Sequence, residues 1–322
     1  GGNTIVFDIK DRPGDLSYAS NLPLAIAIGA SANAPIADPA ALVQLLHRRG
    51  IFAVARISCF YDERLAAARP DLVPHAGGAE ELWRERGRLA WLDPSLPEVQ
   101  QYILDLAQEV AAFGVDEIQL DYVRFPTAGR VEEAVFAFDE QSISKAEIIT
   151  TFVRRVRESL EGTRVRLSAD IFGVIAWERQ ADLARTGQDL VALLPYLDVV
   201  SPMLYPSHFY PGFDDVVNPA AHPYYFVNRG CERLRQLAAA YGVEVRPWLQ
   251  AFPYRVPSMD HTYITEQIAA AEDGGARGWL LWHPSADYGL ALGAIGRYQH
   301  GPRRPLAASD RIPIRYTELA PA

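Results

Sequence analysis

The stretch Val115–Thr127, VDEIQLDYVRFPT, decides how this chain is read. Ile118 and Leu120 belong to an apolar run, and Gly114 ahead of them marks the end of a helix. The run gives way to Asp121, followed by Tyr122, Arg124 and Pro126. This is the pattern of a buried strand that feeds a loop, with a carboxylate where the strand stops. In barrels of parallel strands and outer helices, chemistry sits at the C-terminal ends of the strands. Asp121 is therefore the residue around which the other candidates are placed.

Outward from that stretch the same unit recurs. Thr4–Lys10, Ile51–Phe60, Val165–Gly173, Leu197–Pro206, Val243–Tyr254 and Ala276–His283 also read as strands, seven with the central one. Helices lie between them. Asp38-Pro39 is an N-cap followed by proline at the first helical position. Ser95–Glu98 and Ser144–Glu147 fit the S-x-x-E capping box, and Gly50, Gly114, Gly162 and Gly274 stop helices. Further helices are expected over about Arg229–Tyr241 and over Thr262–Asp273, with loops over residues 12–38, 61–93 and 207–227. Strand, loop and capped helix in alternation call for a parallel sheet with helices outside. The expected class is α/β, a (β/α)8 TIM barrel occupying residues 1–300, with a Pro- and Arg-rich extended tail over 301–322. Such a barrel needs eight strands. The missing one is expected upstream of the chain, in Leu24–Ala30 (LAIAIGA), or in the tail. An open doubly wound sheet is the alternative, but neither G-x-G-x-x-G nor G-x-x-x-x-G-K-[ST] occurs to support a nucleotide fold.

Composition narrows the partners. A net charge of -9, with no basic block, argues against nucleic acid. No run approaches the roughly 20 apolar residues of a membrane span. The 6 Trp and 15 Tyr suit stacking on sugar rings, although most large aromatics serve the core. Cys59 and Cys231 form no C-x-x-C, which disfavours a zinc cluster. Cys59, inside an apolar strand, reads as a buried thiol, and sequence alone leaves a disulfide open. Gly1 and Gly2 lead almost at once into a strand without initiator Met or signal peptide, the pattern of a trimmed or mature fragment.

The strings DIKD, RPDL, LAWLDP, DEIQLDYVRFP, SADIFG, VVSPMLYPSHF, NPAAHPY, RPWLQAF and GWLLWHPS follow one another from about Thr4 to Tyr288. In these motifs the chain resembles the bacterial family called Putative glycosyl hydrolase domain, formerly a domain of unknown function, and distantly the α-amylase-type barrels. The resemblance implies a TIM barrel acting on a polysaccharide, outside the cell or in its envelope. It places one strand ahead of DIKD, so that Asp8 follows the second barrel strand, Asp121 the fourth and Asp170 the fifth. By analogy with the amylase-type barrels, Asp121 looks like the nucleophile and Asp170 the acid/base. Two positions depart from the family pattern: Ala251 stands where an Asp is common, and His283 where an Asn is common. The first puts a third carboxylate in doubt.

Glycoside hydrolysis needs one carboxyl group to protonate the leaving oxygen and another to attack the sugar or activate water. Asp121 as nucleophile or base and Asp170 as acid meet that need. Arg56, costly inside a strand unless it meets a carboxylate, and Arg124 are expected to hold the carboxylates ionised. Such an ion pair is also the competing, purely structural reading of Asp121. Asp8 and Lys10, with Asp11, are expected either to touch substrate or to pair with Arg56. Tyr122, Tyr205, Trp248, Gln250, Trp282 and His283 fall at strand ends as substrate contacts, and Glu178 is a reserve acid. His208, His222 and His283 show no metal-binding spacing, so neither metal nor cofactor is expected. Two other functions stay open: a barrel that binds polysaccharide without cleaving it, and a metal-dependent hydrolase such as a deacetylase.

Overall fold

A computed structural model of the chain describes residues 2–77 and 81–300. Their backbone packs as two compact units, one of residues 2–170 and 180–198, the other of residues 171–179 and 199 onward. Each of the seven stretches read as strands contains a strand, Val243–Tyr254 two short ones.

The first unit is built on four parallel neighbours: Thr4–Lys10, Phe52–Ser58, Glu117–Asp121 and the start of Arg166–Phe172. Their pairing is what brings the polar candidates together. Asp8 lies level with Arg56, Arg56 with Gln119, and Gln119 with Ser168. Residues two apart on a strand share a face. Glu117, Gln119 and Asp121 therefore share one face with Arg56, Asp8, Ser168 and Asp170. The alternate residues Ala55, Ile57, Ile118, Leu120, Leu167 and Ala169 are wholly buried on the other. Against that side stand helices Pro39–Arg48, Pro97–Ala111 and Lys145–Ser159, whose buried residues recur at helical spacing (Val99, Ile103, Leu106 and Val110 on the second).

Helix starts followed the sequence in two cases out of three. The Asp38 carboxylate accepts from the Ala41 N–H, and Ser144 and Glu147 form both halves of the capping box. The third box does not form. Helix Pro97–Ala111 starts after Leu96, because Pro97 takes the first helical position and Asp93 captures both the N–H and the hydroxyl of Ser95. Glu98 is drawn off to Arg69.

The second unit has its own parallel strands. Val199–Met203 pairs with Glu244–Val245 and, at Met203, with Trp248–Gln250, which pairs in turn with Leu280–Trp282. Pro247 lacks an N–H and interrupts what reads as one strand from Val243 to Tyr254. The helix expected from Arg229 begins at Pro223 instead. The aromatic residues that read as loop (Tyr224 and Phe226, with Val227) start its buried stripe. Helices His261–Asp273 and Gly289–His300 follow, the second unforeseen in the sequence.

The candidate eighth strand at Leu24–Ala30 is no strand. Pro23 opens a short helix, Pro23–Ala27, that ends in a turn. The tail over 301–322 lies outside the described residues. Cys59 and Cys231 are both free, buried thiols, which closes the disulfide question. No helix among the described residues is long and apolar enough to cross a membrane.

Candidate active site

Arg56 organises the acidic end of the first unit. Its Nε and Nη2 both donate to Oδ2 of Asp121, at 3.0 and 2.5 Å, and its Nη1 donates to Asp8 at 2.5 Å. The same Nε lies 4.0 Å from Asp170. Burial works against the charge on this guanidinium. The three carboxylates, Asp121 first, outweigh it and hold Arg56 well above its ordinary value. Asp121 and Asp170 are almost wholly buried, whereas the Asp8 side chain is half exposed. The expected partner for the buried arginine is thus present.

Asp121 is fixed on its other side by the chain itself. Tyr122 follows it with φ of 51°, a left-handed conformation uncommon for a residue with a side chain. That turn lets the Tyr122 N–H donate to Oδ1 of Asp121 at 2.6 Å. The Tyr122 ring is held by Tyr61 and Trp91, with centroids 5.3 and 6.0 Å away. Arg124 lies over Trp91 at 4.8 Å and over Tyr122 at 5.4 Å, and donates to the Phe125 carbonyl. Burial pushes its guanidinium below the ordinary value, against the pull of Tyr122 and Asp121. Arg124 thus braces the aromatic loop, and the clamp on Asp121 is supplied by Arg56. Beneath Asp121, the fully buried Glu117 accepts from the Ser168 hydroxyl at 2.5 Å.

Lys10 does not join the candidate substrate contacts. The ladder slips by one residue between Asp8 and Lys10, which sets Lys10 beside Ile57 instead of Ser58. Its ammonium is wholly buried, 2.9 Å from Asp62, and donates to the Ser58 carbonyl at 2.7 Å. No sequence pattern announces that bulge. Asp11 accepts from the backbone N–H groups of Gly14 and Asp15 and shapes a turn.

In the second unit the strand-end residues sort into supports and surfaces. Gln250 is fully buried: its amide donates to the Phe252 and Tyr254 carbonyls and its Oε1 accepts from the Ser207 N–H. It fixes two loops and offers no face to a ligand. Trp248 is buried as well. Trp282, at the end of its strand, leaves 36% of its surface exposed while stacked on Tyr205 at 5.6 Å. The His283 ring accepts from the Ser285 and Asp287 N–H groups and holds the turn after Trp282. Glu178, with φ of 52°, is partly exposed, 4.0 Å from Arg233. Sequence reasoning missed Phe252 and Tyr254 and weighed His208 only as a metal ligand; the three gather beside Tyr205 and Trp282. They lie beyond the strand ends, where local pattern carries no signal.

Parallel strands, outer helices and carboxylates at strand ends form the arrangement in which barrel enzymes, glycoside hydrolases among them, keep their chemistry. Comparison with known proteins singles out the glycoside hydrolases. Residues 2–288 match the profile of the family described as Putative glycosyl hydrolase domain, and the chain belongs to that family. No curated protein matches the chain. Among solved structures, the glycoside hydrolase domain of PgaB (BpsB) from Bordetella bronchiseptica aligns over 94% of this chain and 90% of its own, with a TM-score of 0.64 at 13% identity. Alpha-L-fucosidase isoenzyme 2 from Paenibacillus thiaminolyticus aligns over 92% of this chain and 43% of its own, with a TM-score of 0.56 at 16% identity. A hypothetical protein from Ruminiclostridium thermocellum is 32% identical over 52% of this chain and 83% of its own, with a TM-score of 0.46. The fold is that of the TIM-barrel glycoside hydrolases.

Proposed function

We propose that the protein hydrolyses glycosidic bonds of a polysaccharide, with Asp121 as nucleophile and Asp170 as acid/base. The observation that carries this reading is the asymmetry of Arg56. Its guanidinium makes two hydrogen bonds to Asp121 but comes only within 4.0 Å of Asp170. One carboxylate is thereby gripped and oriented, and the second stands beside the same cation, which gives the two carboxyl groups at one strand-end site that glycoside hydrolysis needs. Both oxygens lie near the same Nε, at 3.0 and 4.0 Å, so they are separated by at most the sum, 7.0 Å. That bound admits the roughly 5–5.5 Å of a retaining pair and leaves little of the roughly 6.5–9.5 Å inverting range.

The chemistry follows in two balanced steps. Asp170 gives its proton to the glycosidic oxygen as the bond to the anomeric carbon breaks. Oδ1 of Asp121, which accepts from the Tyr122 N–H, attacks that carbon and forms a glycosyl ester. Asp170, now ionised, takes a proton from water. The water attacks the same carbon and frees Asp121. In this reading the half-exposed Asp8, paired with Arg56, accepts a hydrogen bond from a sugar hydroxyl.

The test is release of reducing ends over a panel of bacterial and plant polysaccharides, beside the Asp121→Asn and Asp170→Asn variants. Release by the parent protein, lost in both variants, is the expected result. A fully active Asp121→Asn protein overturns the assignment. Binding without release on every polymer replaces it with a binding module.

A further inference from the structure

The second unit carries an aromatic surface of its own. Trp282 is backed by Tyr205, nearly parallel at 29°, and met edge-on by Phe252 at 4.9 Å. His208 lies 5.8 Å from Phe252 and 5.8 Å from Tyr254. Tyr254 is 45% exposed and carries Arg255 over its ring at 4.9 Å. The result is a run of rings from Trp282 to Tyr254 in which Trp282, His208 and Tyr254 are exposed and Tyr205 and Phe252 are buried behind them.

Exposed aromatics scattered singly need no explanation. This group differs in how it is held. Tyr205 and Phe252 fix the indole of Trp282, and the Gln250 amide holds the Phe252 and Tyr254 carbonyls in place. A rigid ring loses little side-chain entropy when a ligand settles on it. Burial, and next the charge of Arg255, keep the His208 imidazole below its ordinary value. At neutral pH it is an uncharged hydrogen-bond partner beside the rings. Flat apolar faces beside an uncharged imidazole match the faces of a pyranose, which presents C–H groups on one side and hydroxyls at the rim, and the Arg255 guanidinium beside Tyr254 adds donors for those hydroxyls.

We propose that Trp282 and Tyr254, with Phe252 and His208 between them, form a stacking subsite for the pyranose rings of a neutral glycan. This rests on the reading that the ligand is a glycan, and it holds whether or not Asp121 performs catalysis.

The experiment is calorimetric and tryptophan-fluorescence titration with neutral cello-, xylo-, manno-, malto- and galacto-oligosaccharides and N-acetylglucosamine oligomers. It uses the whole chain and its Trp282→Ala, Trp282→Phe, Tyr254→Ala, Tyr241→Ala and Asp121→Asn variants, each checked for an unchanged melting transition. At least one series binds, and Trp282→Ala and Tyr254→Ala each raise its Kd roughly tenfold, the order of one lost stacking contact. Trp282→Phe restores part of the loss. Tyr241→Ala, at an exposed tyrosine elsewhere, leaves Kd unchanged. Failure of every oligosaccharide to bind overturns the proposal, as does parental affinity in both Trp282→Ala and Tyr254→Ala. Binding lost in Trp282→Ala while no polymer is ever cleaved upholds the subsite and removes the hydrolase reading. Cleavage that depends on Asp121, with parental affinity in Trp282→Ala and Tyr254→Ala, does the reverse.

Discussion

Replacing Arg56 by Met tests whether one cation holds the acidic cluster together. The side chain is only 19% exposed and donates to Asp121 and Asp8, with Asp170 within 4.0 Å. Methionine keeps much of the volume and removes the charge. Asp121 and Asp170, both nearly buried, then face each other without their cation. Breaking a buried pair from one side costs about 3–5 kcal/mol. The half-exposed Asp8 adds little, because water replaces its lost partner. Arg56→Met should therefore be less stable by about 3–5 kcal/mol at pH 7 in urea unfolding. Asp121→Asn in the same background should recover part of that loss, giving a coupling of about 1–3 kcal/mol in the double-mutant cycle. A loss under about 1 kcal/mol, with no coupling in the cycle, refutes the reasoning.

Lys10→Met strands Asp62 in a fully buried pair and should cost about 3–5 kcal/mol, read by urea unfolding; a cost near zero would mean the pair is not formed. Gly14→Ala should destabilise by more than about 2 kcal/mol, because φ is +96° and a Cβ would stand 2.0 Å from the Asp62 carboxylate; thermal melting reads it. His208 and His222 are both held below their ordinary values by burial, so the folded state binds protons less readily than the unfolded one. Their contribution is complete above about pH 6.5 and is lost as pH falls through the lowered folded value. Melting temperatures recorded from pH 7.5 to 5 should fall less steeply for His208→Gln than for the parent.

Local sequence was enough for much of the architecture. Alternation of apolar and polar residues marked Glu117–Asp121, and one-sided helical spacing marked Lys145–Ser159, because each periodicity is set by the backbone of its own element. Capping chemistry is equally local, so Asp38 and Ser144 were legible. The Ser95 box failed through competition from Asp93, two residues away and equally eligible. Arg56 announced its need for a carboxylate, since a buried guanidinium cannot shed its charge.

What sequence could not supply was partnership across the fold. Arg56 could have met Asp121 through a structural pair or a catalytic one, and only register set Asp8, Arg56 and the Asp121 and Asp170 strands on one face. Lys10 and Gln250 carried the residue types of ligand contacts. A one-residue slip of the ladder sent the first to Asp62, and two loop carbonyls claimed the second. Phe252, His208 and Tyr254 became an exposed aromatic surface only when their loops folded beside Tyr205 and Trp282. Periodicity and capping act within a few residues and survive in the linear pattern. Charge pairing and ring stacking act across space between positions far apart in sequence, so tertiary structure alone decides which candidates meet.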